Sequence, residues 1–122
     1  RPGRARWRVS SHLNRMTPPT IDPATLHLLL ATATPPLVVA VTTAAEHRRA
    51  RIPGSRVLGD VQAFVRQVPH DRAIVVSARG PDDLTAVWAC RLLAENGYQD
   101  VRVLQGGRLT WEAAGYPVDR GP

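Results

Sequence analysis

Two unbroken apolar runs, "LVVAV" at 37–41 and "AIVVSA" at 73–78, constrain this chain more than any other feature. Neither run alternates with polar residues, and neither is long enough for a core helix. Each therefore reads as a strand covered on both faces, the state of strands in a parallel sheet flanked by helices. The segments between them support this. "DVQAFVRQV" places Val61, Phe64, Val65 and Val68 on one helical face behind a capping Asp60. "PDDLTAVWACRLLAEN" reads as a helix beginning at Pro81 with two aspartates in its first turn. Its buried face is Ala86, Ala89, Cys90 and Leu93, and it stops at Asn96-Gly97.

The remaining elements complete the alternation. "TIDPATLHLLLA" starts a helix with Asp22 as cap and Pro23 in the first turn. "TTAAEHRRA" is a short helical or irregular segment, and Arg56 to Leu58 form a brief strand after a Pro-Gly turn. "VRVL" is a further strand, Gly106-Gly107 a tight turn, and "RLTWEAAG" a last helix closed by Gly115. The expectation is an α/β fold: a single domain with about five strands in a mostly parallel sheet and helices on both faces. In such sheets ligands bind beyond the carboxyl ends of the strands, so the loop after Ser77 is the candidate site.

A length of 122 residues holds one core and not two. The net charge of +6 suggests nucleic acid until it is mapped. Five of the sixteen arginines (Arg1, Arg4, Arg6, Arg8, Arg15) lie in the first fifteen residues without an acid, and the rest of the chain is nearly neutral. Residues 1–16 are thus expected to be a basic tail, disordered or non-native, with Met16 as the natural start and residues 17–122 as the domain. Nucleic acid is expected as a partner only through that tail. No apolar run approaches the ~18 residues of a membrane span, and nothing resembles a secretory signal, so a cytoplasmic location is expected. The single cysteine excludes an internal disulfide and a cysteine-cluster metal site, and His12, His27, His47 and His70 have no ligand-like spacing. No metal and no cofactor are expected. Lysine is absent, a bias that fits a GC-rich genome.

Four stretches carry a family likeness: "RIPGS", "AIVVSA", "LLAENGYQDVRVLQGG" and "TWEAAGYPV". In order and spacing they resemble the rhodanese homology domain, whose members carry His-Ile-Pro-Gly-Ala, a Val-Val-Tyr-Cys strand end, a Gly-Tyr-x-x-Val-x-x-Leu-x-Gly-Gly run and Trp-x-x-Ala-Gly-Tyr-Pro-Val. The likeness covers residues 20–118. It implies a sulfurtransferase fold in which a cysteine at the end of the central strand carries a persulfide within a loop of backbone N–H groups.

Here that cysteine position falls on Ala78, or on Ser77 with a one-residue slip. Neither side chain can carry sulfane sulfur. The family's aspartate and arginine near the preceding strand correspond to Ala40 and Thr42, and its histidine to Arg51. The resemblance therefore implies a rhodanese-like domain without sulfur transfer, acting as a binding or regulatory module. The equivalent loop is Ser77, Ala78, Arg79, Gly80, Pro81, Asp82 and Asp83. Two carboxylates there would repel an incoming anion, and one of them is expected to fold back on the loop's own N–H groups, while Arg79 and Arg51 are the candidate contacts for a small anion or a protein partner.

Other chemistry was weighed against simpler roles. A sulfurtransferase built on Cys90 needs a reactive thiol, yet the helical position of Cys90 reads as a small buried hydrophobe. Ser77 with His70 and an aspartate lacks a Gly-x-Ser-x-Gly elbow. The phosphatase relatives need a cysteine-initiated loop closed by an arginine, and Leu84 stands near that closing position. The Arg48, Arg49, Arg51 cluster reads as a solvated face, Trp88 as packing or a partly exposed anchor, and Trp111 as structural.

Overall fold

The computed structural model describes residues 18–121. The basic tail lies outside the described residues. Five strands and five helices alternate: β1 (Thr20–Ile21), α1 (Pro23–Leu30), β2 (Leu37–Ala40), α2 (Ala44–Arg49), β3 (Arg56–Val57), α3 (Val61–Gln67), β4 (Ile74–Ser77), α4 (Thr85–Glu95), β5 (Val101–Leu104) and α5 (Gly107–Ala113). The strands form one sheet in the order β1-β5-β4-β2-β3, and every pairing is parallel. β4 is central, with Leu37 to Ala40 opposite Ile74 to Ser77 on one side and Val101 to Val103 opposite Ile74 to Val76 on the other.

Side chains along a strand alternate between faces, and the apolar runs divide accordingly. Val39, Ile74 and Val76 pack with Phe64 and Val68 from α3 and its end and with Ala86, Ala89, Cys90 and Leu93 of α4. Val38 and Val75 face the other way, with Leu26 of α1 and Trp111 of α5. A strand buried on both sides favours apolar residues on both faces, which is why the runs are nearly continuous, with Ser77 the one polar residue at the end of β4. The helix starts follow local chemistry: Asp22, Thr43 and Asp60 each accept a backbone N–H from the first turn of α1, α2 and α3.

Two expectations need correction. The helix read as beginning at Pro81 begins at Thr85. Asp83 accepts both the N–H (3.0 Å) and the hydroxyl (2.7 Å) of Thr85, and its own N–H bonds to the Gly80 carbonyl, so local side-chain bonding holds residues 80–84 in turns. The lead-in to α1 also contains a strand. β1 is two residues long, and its edge pairing rests on backbone groups, Val103 N–H to Pro19 O and Gln105 N–H to Ile21 O, which leave no periodic signature. Among the described residues no helix is long and apolar enough to cross a membrane.

Candidate functional site

β4 ends where the parallel sheet presents its carboxyl edge. Ser77 and Ala78 are both buried, the Ser77 hydroxyl donating to the Ala78 carbonyl at 3.2 Å. The chain then turns outward through exposed Arg79 and runs across the N-terminus of α5, where the N–H groups of Arg108 and Leu109 donate to the carbonyls of Ala78 and Arg79, both at 2.9 Å. Gly107 makes this approach possible. Its φ is +66°, and a Cβ there would stand 2.6 Å from the Ala78 carbonyl oxygen.

Ser77, Ala78, Arg79 and Arg51 line one small cavity together with Thr42, His47, Ser55 and Arg108. Of the predicted residues, Gly80, Pro81, Asp82 and Asp83 do not line it. Gly80 instead lies against Leu109, and Asp82 is exposed. Asp83 is the carboxylate that folds back. The Thr85 hydroxyl and N–H hold it below the ordinary carboxylate range, and the N–H and charge of Arg79 act in the same direction.

Arg51 reaches the cavity from the far wall with its guanidinium already engaged. One nitrogen, Nη1, donates to the carbonyls of His47 (3.3 Å), Arg48 (3.2 Å) and Gly121 (2.7 Å). Two of these carbonyls end α2, so the guanidinium caps that helix, and a backbone bridge from Arg51 to Asp119 fastens the C-terminal segment beside it. Arg49 pairs with Glu46 at 2.7 Å on the outer face of α2.

The sequence reading missed three cavity residues. His47 Nε2 and the Ser55 hydroxyl lie 3.0 Å apart. Burial first, and then the charge of Arg51, push the His47 pKa below the ordinary imidazole value, while the contact with Ser55 acts the other way. Arg108 pairs with Glu112 at 3.0 Å, and the same carboxylate holds Arg120. The Pro53-Gly54 turn between His47 and Ser55 was the available signal, since it folds β3 back toward α2. Pairing across it depends on tertiary packing.

Other candidates separate in space. His70 packs on Tyr98 ahead of β4, whereas Ser77 ends that strand, so the strand's length divides the two. Cys90 is fully buried in α4, its thiol 3.6 Å from the Val101 carbonyl and its pKa pushed up by burial to about 12. Trp111 is buried and donates its indole N–H to the Pro117 carbonyl at 2.7 Å. Among the described residues no three His, Cys, Asp or Glu side chains are grouped so as to hold a metal ion.

A five-stranded parallel sheet with a loop of this kind at the end of its central strand agrees with the sequence comparison. The family model for the rhodanese-like domain matches residues 22–114. The chain belongs to the rhodanese-like family. A protein named sulfurtransferase from Allochromatium vinosum is 31% identical over 100 residues, covering 80% of this chain and 92% of that protein. Thiosulfate sulfurtransferase YnjE of Escherichia coli is 37% identical over 54 residues, which are 44% of this chain and only 12% of YnjE. Among solved structures, the BH2092 protein from Bacillus halodurans superposes with a TM-score of 0.77 at 19% identity over 93% of this chain and 85% of that one. A thiosulfate sulfurtransferase from Pseudomonas aeruginosa gives 0.70 at 26% identity, over 84% of this chain and 19% of that one. The rhodanese-like domain described here thus spans a small part of the longer relatives and nearly all of the Allochromatium protein.

Proposed function

We propose that this rhodanese-like domain does not transfer sulfur and acts as a binding or regulatory module. Its recognition surface is the loop from Ser77 to Asp83, with Arg79 and the neighbouring Arg51 as contacts for a small anion or a protein partner. The observation that carries this reading is the end of β4. The two residues that could stand at a persulfide position are Ser77 and Ala78, and neither offers a sulfur nucleophile.

The rest of the loop supports the same reading. A persulfide anion needs converging N–H groups and a favourable field, and here the Asp83 carboxylate already takes the N–H of Thr85 and lies close to that of Arg79. The one thiol in the chain is a poor substitute. A pKa of about 12 leaves almost no thiolate at neutral pH, and the side chain is enclosed by the sheet. A second reading, a sulfurtransferase with a non-standard site, is favoured by the name of the Allochromatium relative.

Intact-protein mass spectrometry separates the two. Wild type and Cys90→Ser are incubated with thiosulfate and, separately, with a persulfide donor. No one-sulfur mass gain is expected with either donor. A gain in wild type that vanishes in Cys90→Ser would overturn the inactive reading and establish Cys90 as a sulfur carrier.

A further inference from the structure

A second hollow lies at the other end of the sheet from the loop after β4. Leu37 opens β2 and Gly54 precedes β3, and both line a cleft of 440 Å³ whose walls include Leu30 and Ala31 from the end of α1. Small-molecule sites span about 300–1,000 Å³ and are mostly apolar with a few polar groups, so size and lining both fit. Val38 and Trp111, each almost fully buried, stand at its base. The walls are stiff before any ligand arrives. Pro35, Pro36, Pro53 and Pro117 line the cleft with φ fixed by their rings. The Trp111 indole is held by the Pro117 carbonyl at 2.7 Å, and His27, another lining residue, stacks on Tyr116 with ring centroids 4.5 Å apart. The space beside Gly54 is open, since a Cβ there would meet no atom within 4 Å. A site already in its bound shape loses little entropy on binding, so modest apolar contact appears as affinity.

Charge indicates the class of ligand. No aspartate or glutamate lines the cleft, and Asp71, beside Arg72 in the chain, does not line it either. Arg72 supplies its one permanent charge. Its Nη2 donates to the Pro35 carbonyl at 3.2 Å, and among the described residues its guanidinium makes no other hydrogen bond and no ion pair, so most of its N–H groups are unused. An apolar slot with a guanidinium at its edge and no carboxylate of its own complements a ligand with a hydrocarbon body and one acid group. The planar fork of arginine can grip such a carboxylate with two parallel hydrogen bonds.

We propose that this cleft is a binding site for a small apolar carboxylate, its alkyl or aryl body against Leu30, Leu37 and Trp111 and its acid group on Arg72. The inference goes beyond the binding-module reading. The cleft lies at the opposite sheet edge from Arg51 and Arg79, so it holds whether or not the domain transfers sulfur and whatever the loop after β4 recognises.

Proton–nitrogen NMR of the full chain titrated with 4-phenylbutyrate tests it, with 4-phenyl-1-butanol as the uncharged control. The acid is expected to bind saturably with a Kd of about 0.1–1 mM, shifting the amides of Leu30, Ala31, Leu37 and Gly54 and the Trp111 indole while residues 77–80 stay unmoved. The alcohol is expected to bind about fivefold more weakly. Arg72→Met keeps a long stem without the charge, and is expected to lower the acid to the alcohol's affinity and leave the alcohol unchanged. Ala31→Trp, at an exposed position on the rim, is expected to abolish binding of both with an unchanged thermal melt. No saturable shift up to about 5 mM would overturn the proposal. So would shifts centred on residues 77–80, an alcohol that binds as tightly as the acid, or an Arg72→Met variant that holds the acid as wild type does.

Discussion

The stretch from Tyr98 to Val118 and the loop from Ser77 to Leu84 lie against one another, yet they are held by different means. In the first, large side chains are buried and their polar atoms paired. The Tyr98 hydroxyl donates to the Val68 carbonyl at 2.7 Å, and the Trp111 indole to Pro117, with His27 and Tyr116 packed around the tryptophan. In the second, only Ser77 and Ala78 are buried, and the remainder is held by short-range bonds from Asp83 and by carbonyls resting on the start of α5. A residue in the first region is constrained by the whole core. A residue in the loop is constrained by its nearest neighbours, so this part of the fold can lose its chemistry without losing the fold.

The contrast predicts graded costs. Trp111→Ala removes a fully buried aromatic from the face shared by α1 and α5 and is expected to cost about 3–5 kcal/mol in urea denaturation. A loss under about 1 kcal/mol would show that the C-terminal region is no more constrained than the loop. Gly107→Ala probes the seam between the two regions. Its Cβ would strike the Ala78 carbonyl from a left-handed backbone, so a loss of about 1–3 kcal/mol is expected, with shifts of the amide resonances of residues 78–80.

Asp83→Ala is the smallest of the three, at about 0.5 kcal/mol, because the carboxylate is partly solvated and its bonds are local. Its pH signature is more specific. The folded-state pKa of Asp83 is lowered, so its contribution is complete above the unfolded value of 3.8 and is lost as pH falls through the folded value. The stability difference between wild type and Asp83→Ala is therefore expected to shrink as acid titrates the carboxylate. A difference that stays constant from neutral pH to below that range would show that Asp83 does not hold the loop as a carboxylate.

Much of the architecture was legible because it depends on strong, local or periodic signals. The runs at 37–41 and 73–78 announced doubly covered strands, and the faces of α3 and α4 announced the helices that cover one side. The start of α4 was misread because Pro81, Asp82 and Asp83 resemble a helical first turn. Bonding of Asp83 to Thr85 postponed the helix by four residues. The short β1 escaped because a strand pinned by backbone groups at a sheet edge needs no particular side chains.

The sequence by itself determined the alternation of strands and helices from β2 onward, the buried faces, the place of the loop at the end of the central strand and the family to which the chain belongs. These follow from hydrophobic period, turn residues and a long ordered likeness, all carried along one dimension. Only the tertiary structure decided that His47 meets Ser55, that the Arg51 guanidinium caps α2 and holds Gly121, and that Gly107 abuts the Ala78 carbonyl. Such contacts join residues from separate elements. Their distances are set by how the helices pack on the sheet, and no local pattern in the chain encodes them.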